Sequence, residues 1–288
     1  MKSGACATGG ALWACALLMS AWPAATFAHG TLSSAGSFEQ APVWFVQVVF
    51  VLAWLGYGAG ALRYPPRSSP RMAFHLAMLI AGLTLFGPLD ELAERNTAWH
   101  MGQHMLLIVV VAPLLVLARP LSQWRAVLGP RADAVWRPLH RLSRRPMVCA
   151  LLHAAAVWFW HAPAPYIAAV QSPLWHVLEH TCFMLSGWLF WWSVLRPSRL
   201  GALPAAGALL FTVMHTGLLG ALLTFAKVPL YSTEVTALAD QQLAGLVMWV
   251  PGGLVYLLAV VSVAWRWLAS QQASPADHHF NASAAPRR

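Results

Sequence analysis

What most constrains this chain is a succession of apolar stretches, each close to the thickness of a bilayer, separated by short loops. Seven of them, 43–62, 72–89, 100–118, 147–163, 174–195, 203–226 and 242–268, approach the roughly 20 residues a helix needs to cross a hydrocarbon core of about 30 Å. Only 9% of the 288 residues are charged and 59% are hydrophobic, whereas a soluble domain carries about 25% charge. The expected fold is therefore all-α, a polytopic membrane bundle of seven transmembrane helices over residues 43–268.

The loops test this division. Arg63, Arg67 and Arg71 follow the first segment; Arg119, Arg125, Arg131, Arg137, Arg141, Arg144 and Arg145 follow the third; Arg196 and Arg199 follow the fifth; Arg266, Arg287 and Arg288 end the chain. The alternate loops hold only Arg95 and Lys227, with Asp90, Glu91, Glu94, Glu234 and Asp240. Basic residues gather on the cytoplasmic side of membrane proteins. The rule places the mature N-terminus outside and the C-terminus in the cytoplasm. It also accounts for the formal charge of +9 without nucleic acid as a partner, membrane lipid being the surface these arginines meet.

Upstream, Lys2 precedes an apolar run to Met19 and small residues ending at Ala28. This is the layout of a signal peptide, residues 1–28, and a retained first helix would leave the later topology unchanged. Residues 29–42 form a short periplasmic segment, and the polar tail 269–288 reads as disordered. Cys149 and Cys182 fall on different segments, so no disulfide framework is implied. His278 and His279 in the tail carry no clear role.

Histidines inside apolar segments need a reason, because ionisable groups there usually face a bundle interior or cavity. His100 and His104 open the third segment, and His176 and His180 repeat the same spacing at the start of the fifth. Residues four apart share one helix face. His161 ends the fourth segment before Pro163 and Pro165. Five histidines from three helices thus converge on the outer face as candidate metal ligands. Asp90, Gln103 and Glu179 lie at the same level, where a carboxylate or amide can orient a ligating imidazole.

Imidazole suits copper, zinc, iron and nickel, and Met101, Met105, Met184 and Met248 would add thioethers that favour Cu(I), although methionine also serves as packing. Paired imidazoles on facing helices would equally hold a b-type haem. Spacing alone leaves copper and haem open. His215 lies mid-segment beside Met214 and reads either as packing or as part of a relay. Cleavage after Ala28 would make His29 the first residue, whose amine and ring could chelate Cu(II) together.

HMGQHMLLIVVVAPLLVLARP at 100–120 resembles the third-helix signature of CtaG-type cytochrome c oxidase assembly proteins. WFWHAPAPY, WHVLEHTCFMLSGWLFWWSVL and DQQLAGLVMWVPGG are similar to later segments of that family. The resemblance runs from about Val43 to Trp267. One departure is Ala112-Pro113, where many relatives have two prolines; it alters a kink and removes no donor atom.

The resemblance implies a seven-span protein of the bacterial inner membrane that assists assembly of a haem–copper oxidase of the caa(3) type, with oxidase subunits as partners. It implies no turnover of its own. The family motif falls here on His100, Gln103, His104, His161, His176, Glu179 and His180. Two function classes follow: an assembly factor that binds copper at its outer face, or a redox protein holding haem between the third and fifth helices. There is no GxSxG, phosphate-binding glycine loop or HExxH. A transporter with helices broken at glycine and proline is a third class.

Overall fold

The computed structural model describes residues 40–196, 202–231 and 237–272. The predicted signal peptide, His29, and the tail beyond residue 272 lie outside the described residues. Within them the structure is helical throughout. In order come α1 (Ala41–Arg63), α2 (Ser68–Leu85), α3 (Pro88–Arg95), α4 (Thr97–Met105), a π-helical stretch Leu106–Val111, and α5 (Ala112–Ala118). The arginine-rich loop holds α6 (Leu121–Leu128), a 3-10 turn and α7 (Asp133–Leu142). Then follow α8 (Pro146–Trp160), α9 (Pro163–Gln171), α10 (Pro173–Leu195), α11 (Ala202–Thr224), α12 (Leu238–Val247), a second π stretch Met248–Gly252, and α13 (Gly253–Gln272).

Proline marks the starts. α1, α3, α8, α9 and α10 each carry one in the first turn, where its missing N–H costs nothing. Proline also marks the breaks. The predicted segments 72–89 and 147–163 are not straight rods: α2 and α3 meet at 41°, and α8 and α9 at 71°. Pro88 and Pro163 cannot donate back into the preceding helix, so the chain turns and begins a new one. Residues 163–171, part of a loop by sequence, are helical.

Among the described residues four helical rods are long and apolar enough to cross a membrane, Ala41–Arg63, Thr97–Ala118, Ala202–Thr224 and Leu238–Ala269, or six spans if each bent pair counts as one. α10 is 23 residues long but falls outside this set. Its two histidines, Glu179 and four tryptophans dilute its apolar character.

The rod α4–α5 lies at the centre, against α2, α3, α10 and α12. Its π stretch has a traceable cause. The Ala112 N–H bonds to the Leu107 carbonyl, five residues back. In that register the next donor would be Pro113, which has none, and the indole Nε1–H of Trp191 donates to the Ile108 carbonyl instead at 2.7 Å. A backbone acceptor left in hydrocarbon costs several kcal/mol, so this bond both repairs the rod and ties α10 to it. α11 and α12 touch backbone to backbone: a Cβ on Gly245 would lie 2.6 Å from the Gly220 carbonyl. Such close approach is how helices gain contact in lipid, where apolar burial drives little.

The bundle has two unlike ends. Arg63 donates to the Ala126 carbonyl and Arg196 to the Val116 carbonyl, each at 2.7 Å. At that end Arg125 and Arg137 both pair with Asp133. The opposite end gathers the starts of α4, α10 and α12 and the end of α8, and carries the histidines.

Candidate functional site

The start of α4 is fixed from two sides. Asn96 accepts from the Trp99 N–H at 3.2 Å as a local N-cap. The Asp240 carboxylate, from the first turn of α12, accepts from the Thr97 and Ala98 N–H groups at 2.6 and 3.1 Å. A carboxylate at a helix start is favoured by the free N–H groups and the helix dipole. These contacts set the first turn of the helix that bears the histidine pair.

The spacing of four then puts His100 and His104 on one face of α4, and His176 and His180 on one face of α10, with Glu179 beside them. The two faces meet. Ring centroids of His104 and His180 are 5.1 Å apart, and those of His100 and His176 are 5.5 Å apart. The Glu179 carboxylate lies between the walls, its Oε2 3.6 Å from the Nε2 of both His100 and His104. Two triads share this carboxylate, His100–His104–Glu179 and His176–Glu179–His180, and in each the ligand atoms lie within 4.8 Å of one another. All of these residues are buried except His176, which is half-buried.

His161 closes the group from the end of α8, its ring 6.3 Å from that of His104. Phe183 packs against both rings and forms a floor under them. Tyr166 and Tyr231 stack at 3.8 Å beside His100, and the Tyr231 hydroxyl donates to the His161 carbonyl at 3.1 Å. Burial pushes the Tyr231 phenol pKa up, and nearby Tyr166 and Glu179 push it further, so it remains a donor. Tyr166 stands in the HAPAPY string, but nothing in the sequence around Tyr231 points to this contact.

The remaining sequence candidates divide. Gln103 turns toward the break between α2 and α3, where its amide donates to the Thr84 carbonyl at 2.7 Å and to Asp90 Oδ1 at 2.9 Å. The Thr84 carbonyl is the one Pro88 cannot bond in a continued helix, so Gln103 serves the break directly. Asp90, held by Gln103, lines a cavity of about 230 Å³ whose walls also include Val46, Phe50, Met184, His176 and His180. His215 stands apart on α11 against Phe211, outside both triads.

The buried cluster is rich in polar atoms that make no hydrogen bond, the nearest polar contacts being those of Glu179 with His100 and His104 at 3.6 Å. His100 Nε2, both ring nitrogens of His104, both Glu179 oxygens and His180 Nε2 have no hydrogen-bond partner. Buried polar atoms are normally paired, and doubly so within an apolar bundle. An imidazole–carboxylate set converging on one point fits a transition-metal ion.

A helical membrane protein with a buried histidine–carboxylate cluster at one end of its bundle is the class that fold and site define. The chain belongs to the family of cytochrome c oxidase caa3 assembly factors (Caa3_CtaG), which it matches over residues 48–270. That region contains every residue of the cluster. No curated protein and no solved structure matches the chain.

Proposed function

We propose that this chain binds copper at the cluster of His100, His104, His161, His176, His180 and Glu179 and assists its delivery to a haem–copper oxidase under assembly. It does so at the outer face of the bacterial inner membrane, as a seven-span protein in which α10, the fifth predicted segment, joins the six spans counted above, its N-terminus outside and its C-terminus in the cytoplasm. The alternation of loop arginines supports this orientation. The observation that carries the copper reading is the set of unpartnered buried atoms on two facing helices. Family membership supports the destination.

The residues divide the work. His100 and His104 supply one wall of imidazole donors, His176 and His180 the other. Glu179 supplies negative charge between them, offsetting the cost of a cation in a low-dielectric interior. Asp240 and Asn96 hold the first wall in place. The protein binds and hands on its cargo.

A haem between the third and fifth predicted helices fits less well. Rings 5.1 and 5.5 Å apart, with a carboxylate between them, support a small ion over a porphyrin plate. The test is metal analysis of protein purified under reducing conditions, with a reduced-minus-oxidised optical spectrum. Near-stoichiometric copper, lost in a His100→Ala/His104→Ala variant that also fails to support active oxidase, is expected. Strong b-type bands without copper would overturn the reading.

A further inference from the structure

The cluster has a soft side. His161 Nδ1 lies 2.7 Å from the Val157 carbonyl. A carbonyl only accepts, so Nδ1 carries the proton, and in the neutral ring the Nε2 lone pair is free. That lone pair points at the Met101 sulfur, 3.3 Å away. A thioether has no proton to give, so two Lewis bases face each other with nothing shared between them. Met101 is fully buried and His161 nearly so. The Tyr231 hydroxyl donates to the His161 carbonyl and so fixes the backbone that carries this ring.

Each feature has a reading as packing, but together they match a ligand pair. An imidazole that donates its far N–H to a backbone carbonyl is oriented as metal-bound histidines usually are. At bond lengths like those of zinc to imidazole nitrogen and thiolate sulfur, about 2.0 and 2.3 Å, a separation of 3.3 Å corresponds to an angle of roughly 100° at the ion. Thioether sulfur selects Cu(I) over harder ions.

We propose that Met101 and His161 form a Cu(I) position beside the His100–His104–Glu179 group, so that the cluster has a hard, carboxylate-bearing side and a soft, thioether-bearing side. The proposal rests on the copper reading above and adds the oxidation state, the ligand Met101 and its pairing with His161. Met101 lies within the HMGQH string, yet its partner is 60 residues away, and only the turn after α8 brings them together.

The test is X-ray absorption at the copper edge on full-length protein loaded anaerobically with Cu(I), together with competition against a chromogenic Cu(I) chelator. A copper–sulfur shell in the wild type, absent in Met101→Leu, and Cu(I) affinity at least ~10-fold weaker in that variant are expected, with Zn(II) affinity unchanged. Leucine is close to methionine in volume and keeps the packing. Should the variant fail to extract, His161→Gln with the Met101 side chain intact decides, a sulfur shell unchanged in it overturning the pairing. Copper bound through nitrogen and oxygen only, or a sulfur shell that persists in Met101→Leu, would overturn this proposal and leave the copper reading standing. Absence of bound copper would overturn both.

Discussion

Two buried histidine environments lie one below the other in this bundle, and they are built on opposite principles. In the lower one, His153 on α8 has both ring nitrogens engaged: Nδ1 lies 3.0 Å from the Ser186 hydroxyl and Nε2 3.5 Å from the Tyr256 hydroxyl, while Phe190 stacks on the ring. In the upper one, His104 is equally buried and neither of its nitrogens has a hydrogen-bond partner. The same residue type is thus spent once on satisfying the protein and once on leaving lone pairs available. Partner count, more than burial, separates a packing histidine from a candidate ligand. His215 shows that the rule needs a second condition. Its nitrogens are also unpartnered, but it belongs to neither triad, and one imidazole alone makes no chelate.

The comparison breaks most visibly at His104. Replacing it with leucine removes a donor from the centre of the proposed site, and copper affinity is expected to fall at least ~100-fold, beyond what loss of an outer orienting partner costs. The same change deletes two buried nitrogens that make no hydrogen bond, a shortfall of about 1–3 kcal/mol each in metal-free protein, offset in part at Nε2 by the 3.6 Å contact with Glu179. Thermal stability of the metal-free His104→Leu variant should therefore hold or rise while binding collapses. A variant that loses stability and keeps its copper would place His104 with His153 as a packing residue.

Much of this contrast was legible in the sequence, and the limits are physical. The i, i+4 spacing is a local property of helices, so the two walls could be read from HMGQH and from WHVLEH alone. Charge alternation is also local to loops, and it separated the arginine end from the histidine end. What spacing could not reveal is which helix faces which. The contact of Met101 with His161, the Tyr231 anchor and the Asp240 cap each join residues 60 or more positions apart in sequence. Prolines were read as ends or kinks, whereas Pro88 and Pro113 each withhold a donor that a side chain elsewhere, from Gln103 and Trp191, replaces. Gln103 was grouped with the cluster because it sits between its histidines, but a residue one position before His104 points off that face. α10 falls outside the rods apolar enough to count as spans because the histidines and Glu179 of the cluster make the helix less apolar.

Glu179 sharpens the comparison by charge. From α10 it reaches across to both histidines of the α4 wall at 3.6 Å, so Glu179→Gln keeps the shape of the site and removes the carboxylate that the two triads share. Metal affinity is expected to fall about 10-fold, the lower range for groups that orient or compensate a metal site. The loss should be larger for Cu(II) or Zn(II) than for Cu(I), because carboxylate oxygen is a hard ligand. Competition titrations with each ion measure it. Equal losses for all three would assign Glu179 a purely geometric role.

The smallest effect is expected below the floor formed by Phe183. His153→Leu removes two hydrogen-bonding contacts in the bundle interior and strands the Tyr256 hydroxyl, which is fully buried. Hydrogen bonds between transmembrane helices contribute about 0.6 kcal/mol on average and up to about 1.7. The contact to Tyr256 is long, so a loss of about 1 kcal/mol in unfolding free energy is expected, read as a modest drop in thermal stability in detergent. Copper content should be unchanged, because His153 belongs to neither triad. This is the mirror of His104→Leu, and the pair of variants forms a crossed experiment in which binding and stability move in separate proteins. If His153→Leu instead empties the cluster of copper without loss of stability, the two layers act as one site and the division by partner count fails at its lower member.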